Sequence, residues 1–313
     1  MIYTKADLIS AKDRLKLEVI NTPILRSEYL NDLIQSELFF KCENFQKGGA
    51  FKFRGATNAV KRLLDSTSVS CVATHSSGNH GRALAMAAKK NGLRCIVVVP
   101  ENAPKIKVEG MRREGAEIHF CESTIIAREQ MLRDILLTER AEIIPPYNHP
   151  NIIMGQSTCA QEIIDEIPNI QQIICPVGGG GLLSGTALAA KYFGKNIEVF
   201  AGEPERADDA FRSLKTGEIQ PVGNPNTIAD GLRTYLGTYT FEVIKQDVKE
   251  IFLVSEQEIL DAMRMLWSEL KVIIEPSCAV PFAAILRNKE KFKGKSCAVI
   301  LSGGNVDLER KYF

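Results

Sequence analysis

The sequence lacks an excess of charge of either sign. Its 39 lysine and arginine residues nearly balance 38 aspartate and glutamate residues, which leaves a formal net charge of +1. Because general electrostatic binding to nucleic acid or to an acidic membrane needs clustered positive charge, neither is expected as a partner. The 313 residues, 45% hydrophobic and 25% charged, are typical of a globular protein of about two domains.

No signal peptide is visible in the sequence, and it has no long apolar run free of helix breakers. Charged residues recur every few positions among the first twenty residues, and no apolar stretch of a signal peptide is present. The longest uncharged run, residues 167–190, contains two prolines and five glycines, which makes it a poor lipid-facing helix. These features predict a soluble protein.

Paired cysteines are absent as well. The eight cysteines are scattered from Cys42 to Cys297 without a CxxC pair, so zinc-ligand spacing is missing. Several lie in apolar runs, where a free thiol behaves as a small hydrophobic side chain. This usage predicts reduced thiols and a cytoplasmic location.

Short apolar runs alternate with helix-period segments along most of the chain. The predicted strands are residues 38–41, 70–74, 95–99, 117–121, 172–177, 198–201 and 296–301. The predicted helices include residues 81–90, 125–137, 155–166 and 183–191. Apolar strands separated by helices predict an α/β fold with parallel-type sheets flanked by helices. The absence of a linker rich in Pro, Gly or Ser favours one domain inserted within another.

A polar turn follows the predicted strand 70–74. Residues 75–81 read His-Ser-Ser-Gly-Asn-His-Gly, and their side chains and backbone N–H groups suit a small anion such as a carboxylate. A helix N-cap needs one such side chain. Seven small or polar residues in a row favour binding, with a capping turn as the alternative.

Four successive glycines follow the predicted strand 172–177. Residues 178–181 let backbone amides surround a phosphate at the positive end of the next helix. The spacing does not satisfy G-x-G-x-x-G, and no Lys-Ser or Lys-Thr follows as in a Walker A loop. The turn therefore predicts a site for one phosphate. Ser302-Gly303-Gly304-Asn305, after the last predicted strand, is a weak signal alone.

Lys52 stands between Phe51 and Phe53 at a predicted helix start. Apolar surroundings and the positive end of a helix both disfavour the ammonium, so the pKa of its amine is expected to fall toward a nucleophilic range. A nucleophilic lysine together with a phosphate site is the pair expected of a pyridoxal phosphate enzyme.

With these segments, the chain resembles the serine/threonine dehydratase and serine racemase family of fold type II pyridoxal phosphate enzymes. Four motifs in the family's order carry the resemblance: residues 49–55 (GAFKFRG), 76–81 (SSGNHG), 178–181 (GGGG) and 302–305 (SGGN). The similarity runs from about Pro23 to Asp307 and is strongest to serine racemase-like and threo-3-hydroxyaspartate dehydratase-like members. It implies two lobes, a larger one of residues 1–70 and 149–313 and a smaller inserted one of residues 71–148.

The resemblance also implies roles for individual residues. Lys52 would carry the cofactor as an imine and remove the Cα proton, and Ser77 matches the position that exchanges a proton on the opposite face in racemases. The implied cofactor-binding residues are Phe51, Lys52, Asn79, Gly178, Gly179, Gly180, Gly181, Leu182 and Ser302. The implied substrate-binding residues are Ser76, Ser77, Asn79, His80, Arg128 and Thr234.

Two further implications concern a second carboxylate and a metal. Arg128 resembles an arginine that reaches a second substrate carboxylate in some members, although an arginine on a helix is often a surface charge. Tyr147 lies in a segment, residues 147–150, that looks like the hydroxyaspartate-type relatives. Glu203, Ala207 and Asp209 resemble the family's divalent cation site, for Mg²⁺ or Ca²⁺ with Mn²⁺ as a further option.

The expected activity is a pyridoxal phosphate-dependent ammonia-lyase. It would convert serine, threonine or threo-3-hydroxyaspartate into a 2-oxo acid and ammonia. The alternative enzyme is a serine or aspartate racemase with side β-elimination, and an alternative of another class is a non-catalytic sensor of a phosphate ligand. The expected partners are an amino-acid substrate and a second copy of the chain in a homodimer.

Overall fold

The computed structural model describes residues 3–223 and 225–313, apart from the side chain of Ile125. Its strands are β1 (Ile24–Leu25), β2 (Glu37–Cys42), β3 (Cys71–His75), β4 (Arg94–Pro100), β5 (Glu117–Cys121), β6 (Glu142–Ile143), β7 (Gln172–Pro176), β8 (Glu198–Pro204), β9 (Glu250–Val254) and β10 (Ser296–Leu301).

The α-helices fill most of the chain between the strands. They are α1 (Lys5–Leu15), α2 (Glu28–Ile34), α3 (Lys52–Leu64), α4 (Asn79–Lys90), α5 (Lys105–Arg113), α6 (Ile125–Thr138), α7 (Pro150–Glu166), α8 (Gly181–Phe193), α9 (Asp209–Thr216), α10 (Thr238–Asp247), α11 (Glu256–Leu270), α12 (Pro276–Arg287) and α13 (Lys289–Phe292). Within the described ranges, none of them has both the length and the apolar character needed to span a membrane.

The strands form two sheets. The larger has six strands in the order β1-β2-β10-β7-β8-β9, and the smaller has four in the order β5-β4-β3-β6. All neighbours are parallel except β1 and β2. Parallel sheets need both faces covered, and the helices supply that cover. The predicted α/β class with parallel sheets is confirmed.

The strand predictions agree with the structure except at short or late elements. All seven predicted strands are present, with ends that move by up to three residues. The two-residue strands β1 and β6 were not predicted, because two residues carry no periodic signal. The strand β9 was also missed, although its sequence EIFLV is a short apolar run.

The helix α3 lies where the two sheets approach each other. Its Phe53 and Val60 share a hydrophobic core with Val72 and Val97 of the smaller sheet. On its other side, α3 packs against α7, a helix whose Ile153 belongs to a core of the larger sheet. The first residue of this helix, Lys52, is therefore held between both halves of the molecule.

A buried ionic network fixes the start of α3. The Arg54 guanidinium donates to both oxygens of Glu43 at 2.7 Å and to both oxygens of Glu162 at 2.6 and 2.8 Å. The Lys41 ammonium lies 2.8 Å from Glu162. Removing one partner would leave an uncompensated buried charge, which costs several kcal/mol, about 3–5. The network thus constrains the helix that begins at Lys52.

Candidate active site

A cavity of about 150 Å³ lies at the carboxyl ends of β3, β7 and β10. Ligands of open α/β sheets bind at this end of the strands. The cavity wall includes all the residues that the sequence assigned to catalysis, cofactor or substrate: Phe51, Lys52, Ser76, Ser77, Asn79, His80, Arg128, Gly178, Gly179, Gly180, Gly181, Leu182, Thr234 and Ser302. The fold therefore brings the separate sequence motifs into one site.

Lys52 presents its amine to this cavity. Its Nζ donates a hydrogen bond of 2.7 Å to the carbonyl oxygen of Pro146 and lies 5.2 Å from the centre of the Phe51 ring. Burial lowers the pKa of Lys52 to about 8, and the charge of Glu275 opposes this shift in part. The lowered pKa agrees with the sequence prediction. Phe53 is not one of its causes, because that ring packs into the core of the smaller sheet.

The glycine turn leads from β7 into α8. Gly180 has φ +85°, a left-handed conformation that favours glycine. A Cβ at Gly179 would overlap the ring of Tyr147. The first amides of a helix have no acceptor within the helix and lie at its positive end. The start of α8 therefore fits a phosphate group.

The turn between β3 and α4 combines capping with exposed polar groups. The Ser76 hydroxyl accepts hydrogen bonds from the backbone N–H groups of Gly78 at 3.2 Å and Gly81 at 3.0 Å. The alternative that this turn caps the following helix therefore holds for the oxygen of Ser76. Ser77 and Asn79 lie on the cavity wall beside it, so the turn also retains groups for an anion.

Two histidines near the cavity are held neutral. His80 Nε2 donates to the carbonyl oxygen of Ile144 at 2.9 Å, and burial, reinforced by the charge of Lys52, lowers its pKa to about 3. Burial, together with the nearby Arg128 charge, lowers the pKa of His75 to about 4. With neutral imidazoles, the cationic side chains of this wall are Lys52, Lys107 and Arg128.

Arg128 is half-buried in the cavity wall, so it is not a solvated surface charge. Its Nε is buried and has no hydrogen-bond partner among the described residues. Burial lowers the pKa of the guanidinium, because a charged group loses hydration there. Thr234 lies on the same wall. The arrangement leaves a buried donor available to an anionic ligand.

A buried ionic cluster at the cavity was missed by the sequence reasoning. Lys107 Nζ lies 2.6 Å from Asp230 Oδ2 and 3.3 Å from Glu275 Oε2. The Asn79 amide donates to Glu275 Oε1 at 2.7 Å and accepts from the Asn305 amide at 2.9 Å. Lys107 and Glu275 belong to no motif, so the sequence held no signal for them.

The predicted cation site lies outside the cavity, at the end of β8. Glu203 accepts hydrogen bonds of 2.8 Å from the backbone N–H groups of Ala210 and Phe211. Asp209 Oδ2 accepts one of 3.2 Å from Leu236, whereas its buried Oδ1 has no partner among the described residues. Burial, and then the charge of Asp209, raises the pKa of Glu203, and burial raises that of Asp209 to about 7.

Two neighbouring buried carboxylates with an unpaired oxygen fit a hard cation. In the part of the chain that the structure describes, no group of three or more His, Cys, Asp or Glu side chains could hold a metal ion. A cation here would therefore need further oxygen ligands, such as the carbonyl that the sequence assigned to Ala207.

Comparison with known proteins agrees with this geometry. The model of the pyridoxal-phosphate dependent enzyme family matches residues 15–303. The chain is 45% identical over 309 residues to the beta-hydroxyaspartate dehydratase of Paracoccus denitrificans, covering 99% of this chain and 98% of that protein. It is 46% identical over 309 residues to the serine racemase of Dictyostelium discoideum, covering 97% and 95%.

A solved structure shows the same fold over nearly the whole chain. The structure of maize serine racemase matches with a TM-score of 0.96 at 40% identity, covering 99% of this chain and 95% of that one. The resemblance drawn from the four motifs is confirmed, and so is the fold type that it implied. The chain is an enzyme that belongs to the pyridoxal-phosphate dependent enzyme family.

Proposed function

We propose that this protein is an ammonia-lyase that converts a 3-hydroxy amino acid into a 2-oxo acid and ammonia, with threo-3-hydroxyaspartate as the preferred substrate. The observation that carries the substrate class is the half-buried Arg128 on the same cavity wall as Lys52. The similarity to a beta-hydroxyaspartate dehydratase supports the same class. Serine and threonine can undergo the same reaction, but they have no second carboxylate.

The residues present fit pyridoxal phosphate. The amides at the start of α8 would hold its phosphate, Lys52 its aldehyde carbon, Asn79 its phenolic oxygen and Ser302 its pyridine nitrogen. When bound, the cofactor withdraws electrons from the substrate Cα, which weakens the Cα–H bond and promotes loss of the β-hydroxyl group. Ser302 offers a neutral hydroxyl group rather than a carboxylate at the ring nitrogen, which favours prompt β-elimination over transamination.

The side chains of the cavity supply the proton transfer and the substrate orientation. The Lys52 amine has a pKa of about 8, so a fraction of it is unprotonated at physiological pH. In that form it accepts the proton of Cα. The α-carboxylate is bound by Ser76 and backbone N–H groups of its turn, while the free N–H of Asn79 serves the cofactor's phenolic oxygen. His80, neutral and held by a backbone carbonyl, shapes the wall without adding charge.

Arg128 selects the second carboxylate. Its planar guanidinium can form two parallel hydrogen bonds to a carboxylate, which a lysine cannot. Because Nε is buried without a partner, a β-carboxylate would satisfy a donor that otherwise remains unpaired. Thr234 on the same wall would contact the substrate beside it. A substrate with a hydrogen or methyl group there leaves that donor unpaired, which costs binding energy.

Racemisation is the second candidate activity. Ser77 lines the same cavity as Lys52, and a hydroxyl group on the opposite face of the substrate could return a proton to Cα. The similarity to the serine racemase of Dictyostelium discoideum supports this alternative. Both activities share proton removal by Lys52; in racemisation Cα then takes up a proton on the opposite face and the β-hydroxyl group stays, whereas in the lyase reaction the β-hydroxyl group leaves.

A divalent cation, Mg²⁺, Ca²⁺ or Mn²⁺, would bind Glu203, Asp209 and the carbonyl group of Ala207. The unpaired Oδ1 of Asp209 supports this assignment. A bound cation would neutralise two buried carboxylates that otherwise repel each other.

The division into domains and the assembly are also proposals. Residues 71–148 would form the small domain, since all four strands of the smaller sheet lie within them, and its closure would carry the turn at Ser77 onto the substrate. A homodimer is supported by exposed apolar side chains such as Phe45 and Ile273, and light scattering would measure its mass. Eight unpaired, buried cysteines support a reducing, cytoplasmic location.

Replacing Arg128 by alanine tests the proposed substrate class. We expect kcat/KM for threo-3-hydroxyaspartate to fall at least about thirtyfold, since removing a buried charged partner costs about 2 kcal/mol or more. Turnover of serine should change less than about threefold. The measurement is ammonia release from both substrates.

Arg133→Ala is the matched control, because Arg133 lies on the same helix with a mostly exposed side chain. It should leave both activities unchanged. Equal losses of serine and hydroxyaspartate turnover in Arg128→Ala would contradict the role of Arg128 as the second-carboxylate site.

A further inference from the structure

The ionic cluster around Lys107 joins side chains from different parts of the fold. Lys107 belongs to α5, which follows β4 of the smaller sheet, whereas Asp230 and Glu275 lie in segments that flank the larger sheet. Its side chain is 7% exposed and that of Glu275 is 3% exposed. A buried lysine thus joins the two halves of the molecule at the cavity wall.

The Lys107 side chain also touches the substrate-binding turn directly. A Cβ built on Gly78 would lie 2.6 Å from Lys107 Cδ, so the methylene stem packs against the backbone between Ser77 and Asn79. The same lysine therefore contacts the turn through its stem and the opposite half through its ammonium group. A glycine at position 78 is what permits this close approach.

Glu275 transmits the contact to Asn79. Its Oε1 accepts the Asn79 amide at 2.7 Å, and its Oε2 faces Lys107 at 3.3 Å. Asn79 Oδ1 is occupied by the Asn305 amide at 2.9 Å. The two bonds fix the plane of the Asn79 amide, which leaves one N–H of its Nδ2 for the cavity.

The charge state of the cluster depends on Lys107. Burial raises the pKa of Glu275, the Lys107 ammonium opposes that shift, and the charge of Asp230 adds to it. Burial would lower the pKa of Lys107, but Glu275 and Asp230 outweigh it and hold that pKa above its usual range. Lys52 is a further cation facing Glu275. Without Lys107, two carboxylates would be left close together and largely buried, so one would take up a proton.

We propose that Lys107 is a positioning residue for the reaction: by pairing with Asp230 and Glu275 it holds the Ser77–Asn79 turn and the Asn79 amide in the orientation that cofactor and substrate require. The inference rests on the proposed function, because it assigns Asn79 to the cofactor's phenolic oxygen. Lys107 itself takes no part in proton transfer.

The test compares Lys107→Met, Lys107→Arg and the control Lys105→Met in the holoenzyme. Lys105 is exposed on the same helix. We expect Lys107→Met to shift the visible absorption spectrum of the bound cofactor, which reports hydrogen bonding at its phenolic oxygen, and to lower kcat/KM by about a hundredfold, as misplacement by about 1 Å can do. Most of that loss should appear in KM, because the turn binds the substrate carboxylate. Lys107→Arg should keep the wild-type spectrum, and Lys105→Met should match the wild type in both measurements.

A wild-type spectrum in Lys107→Met would overturn the proposal, and so would equal defects in Lys107→Arg and Lys107→Met, which would indicate packing rather than charge. If Lys107→Met does not fold, Glu275→Gln replaces it, since glutamine keeps the shape and removes the charge. An unchanged spectrum and KM in folded Glu275→Gln would then be decisive against the role. Absence of turnover in the wild type would instead contradict the proposed function, while the spectra would still report on Lys107.

Discussion

At Lys52, burial and a backbone carbonyl act on the same amine. Burial lowers the pKa to about 8, and the hydrogen bond to Pro146 fixes the direction in which the amine points. The sequence predicted the lowered pKa from two local features, apolar neighbours and a helix start, and burial is the cause that the structure gives. It could not predict Lys107 or Glu275, since their partners are distant in sequence and share no motif with them.

The pKa of Lys52 predicts how the rate at which the apoenzyme binds pyridoxal phosphate covalently depends on pH. At pH 7 about one amine in ten is unprotonated when the pKa is about 8, against about three in ten thousand for the ordinary 10.5. The rate of covalent attachment should therefore rise about tenfold per pH unit below 8 and level off above it. Stopped-flow absorbance between pH 6 and 10 measures it, with free N-acetyl-lysine as the control. A midpoint above 10 would refute the assigned environment of Lys52.

At the scale of elements, the two glycine-bearing turns of the site lie at junctions of a strand and a helix. The turns after β3 and β7 were predictable because glycine and polar residues there follow apolar strands. Helix starts were less predictable: α7 begins at Pro150, five residues before its predicted start, because His149 accepts the N–H of Asn151 and a proline suits the first position. The overlap of a Gly179 side chain with Tyr147 could not be predicted, since it joins separate loops.

We expect a divalent cation bound at the junction of β8 and α9 to raise the free energy of unfolding. At a hundredfold excess over its dissociation constant, Mg²⁺ or Ca²⁺ should contribute about 2.7 kcal/mol, a rise in Tm of about 5 °C for a chain of this size. Thermal unfolding with cation and with chelator measures the difference. Asp209→Asn should abolish the rise, because it removes the negative charge of the carboxylate to which the unpaired oxygen belongs.

Asp208→Asn is the matched control for this junction. Asp208 is the neighbouring carboxylate and pairs with Arg212 at 2.9 Å, so the cation response should persist in that variant. The assignment is wrong if the wild type shows no rise, or if Asp209→Asn still responds.

At the scale of the whole molecule, the net charge is close to zero, but groups of opposite charge lie at separate sites. In the functions proposed here, Arg128 and the start of α8 would bind anions, while Glu203 and Asp209, whose pKa values burial raises, would bind a cation. The overall α/β class followed from the alternation of strands and helices. The approach of the two sheets around α3 did not, because it depends on tertiary packing of Phe53 and its neighbours.

The most direct test of the central claim compares two substrates of the wild-type holoenzyme. Ammonia release from threo-3-hydroxyaspartate and from serine gives kcat/KM for each. A half-buried Arg128 whose Nε gains a carboxylate partner predicts a preference for hydroxyaspartate of at least about tenfold, because each 1.4 kcal/mol is about a factor of ten. Equal or better turnover of serine, or no ammonia from hydroxyaspartate, would contradict the claim.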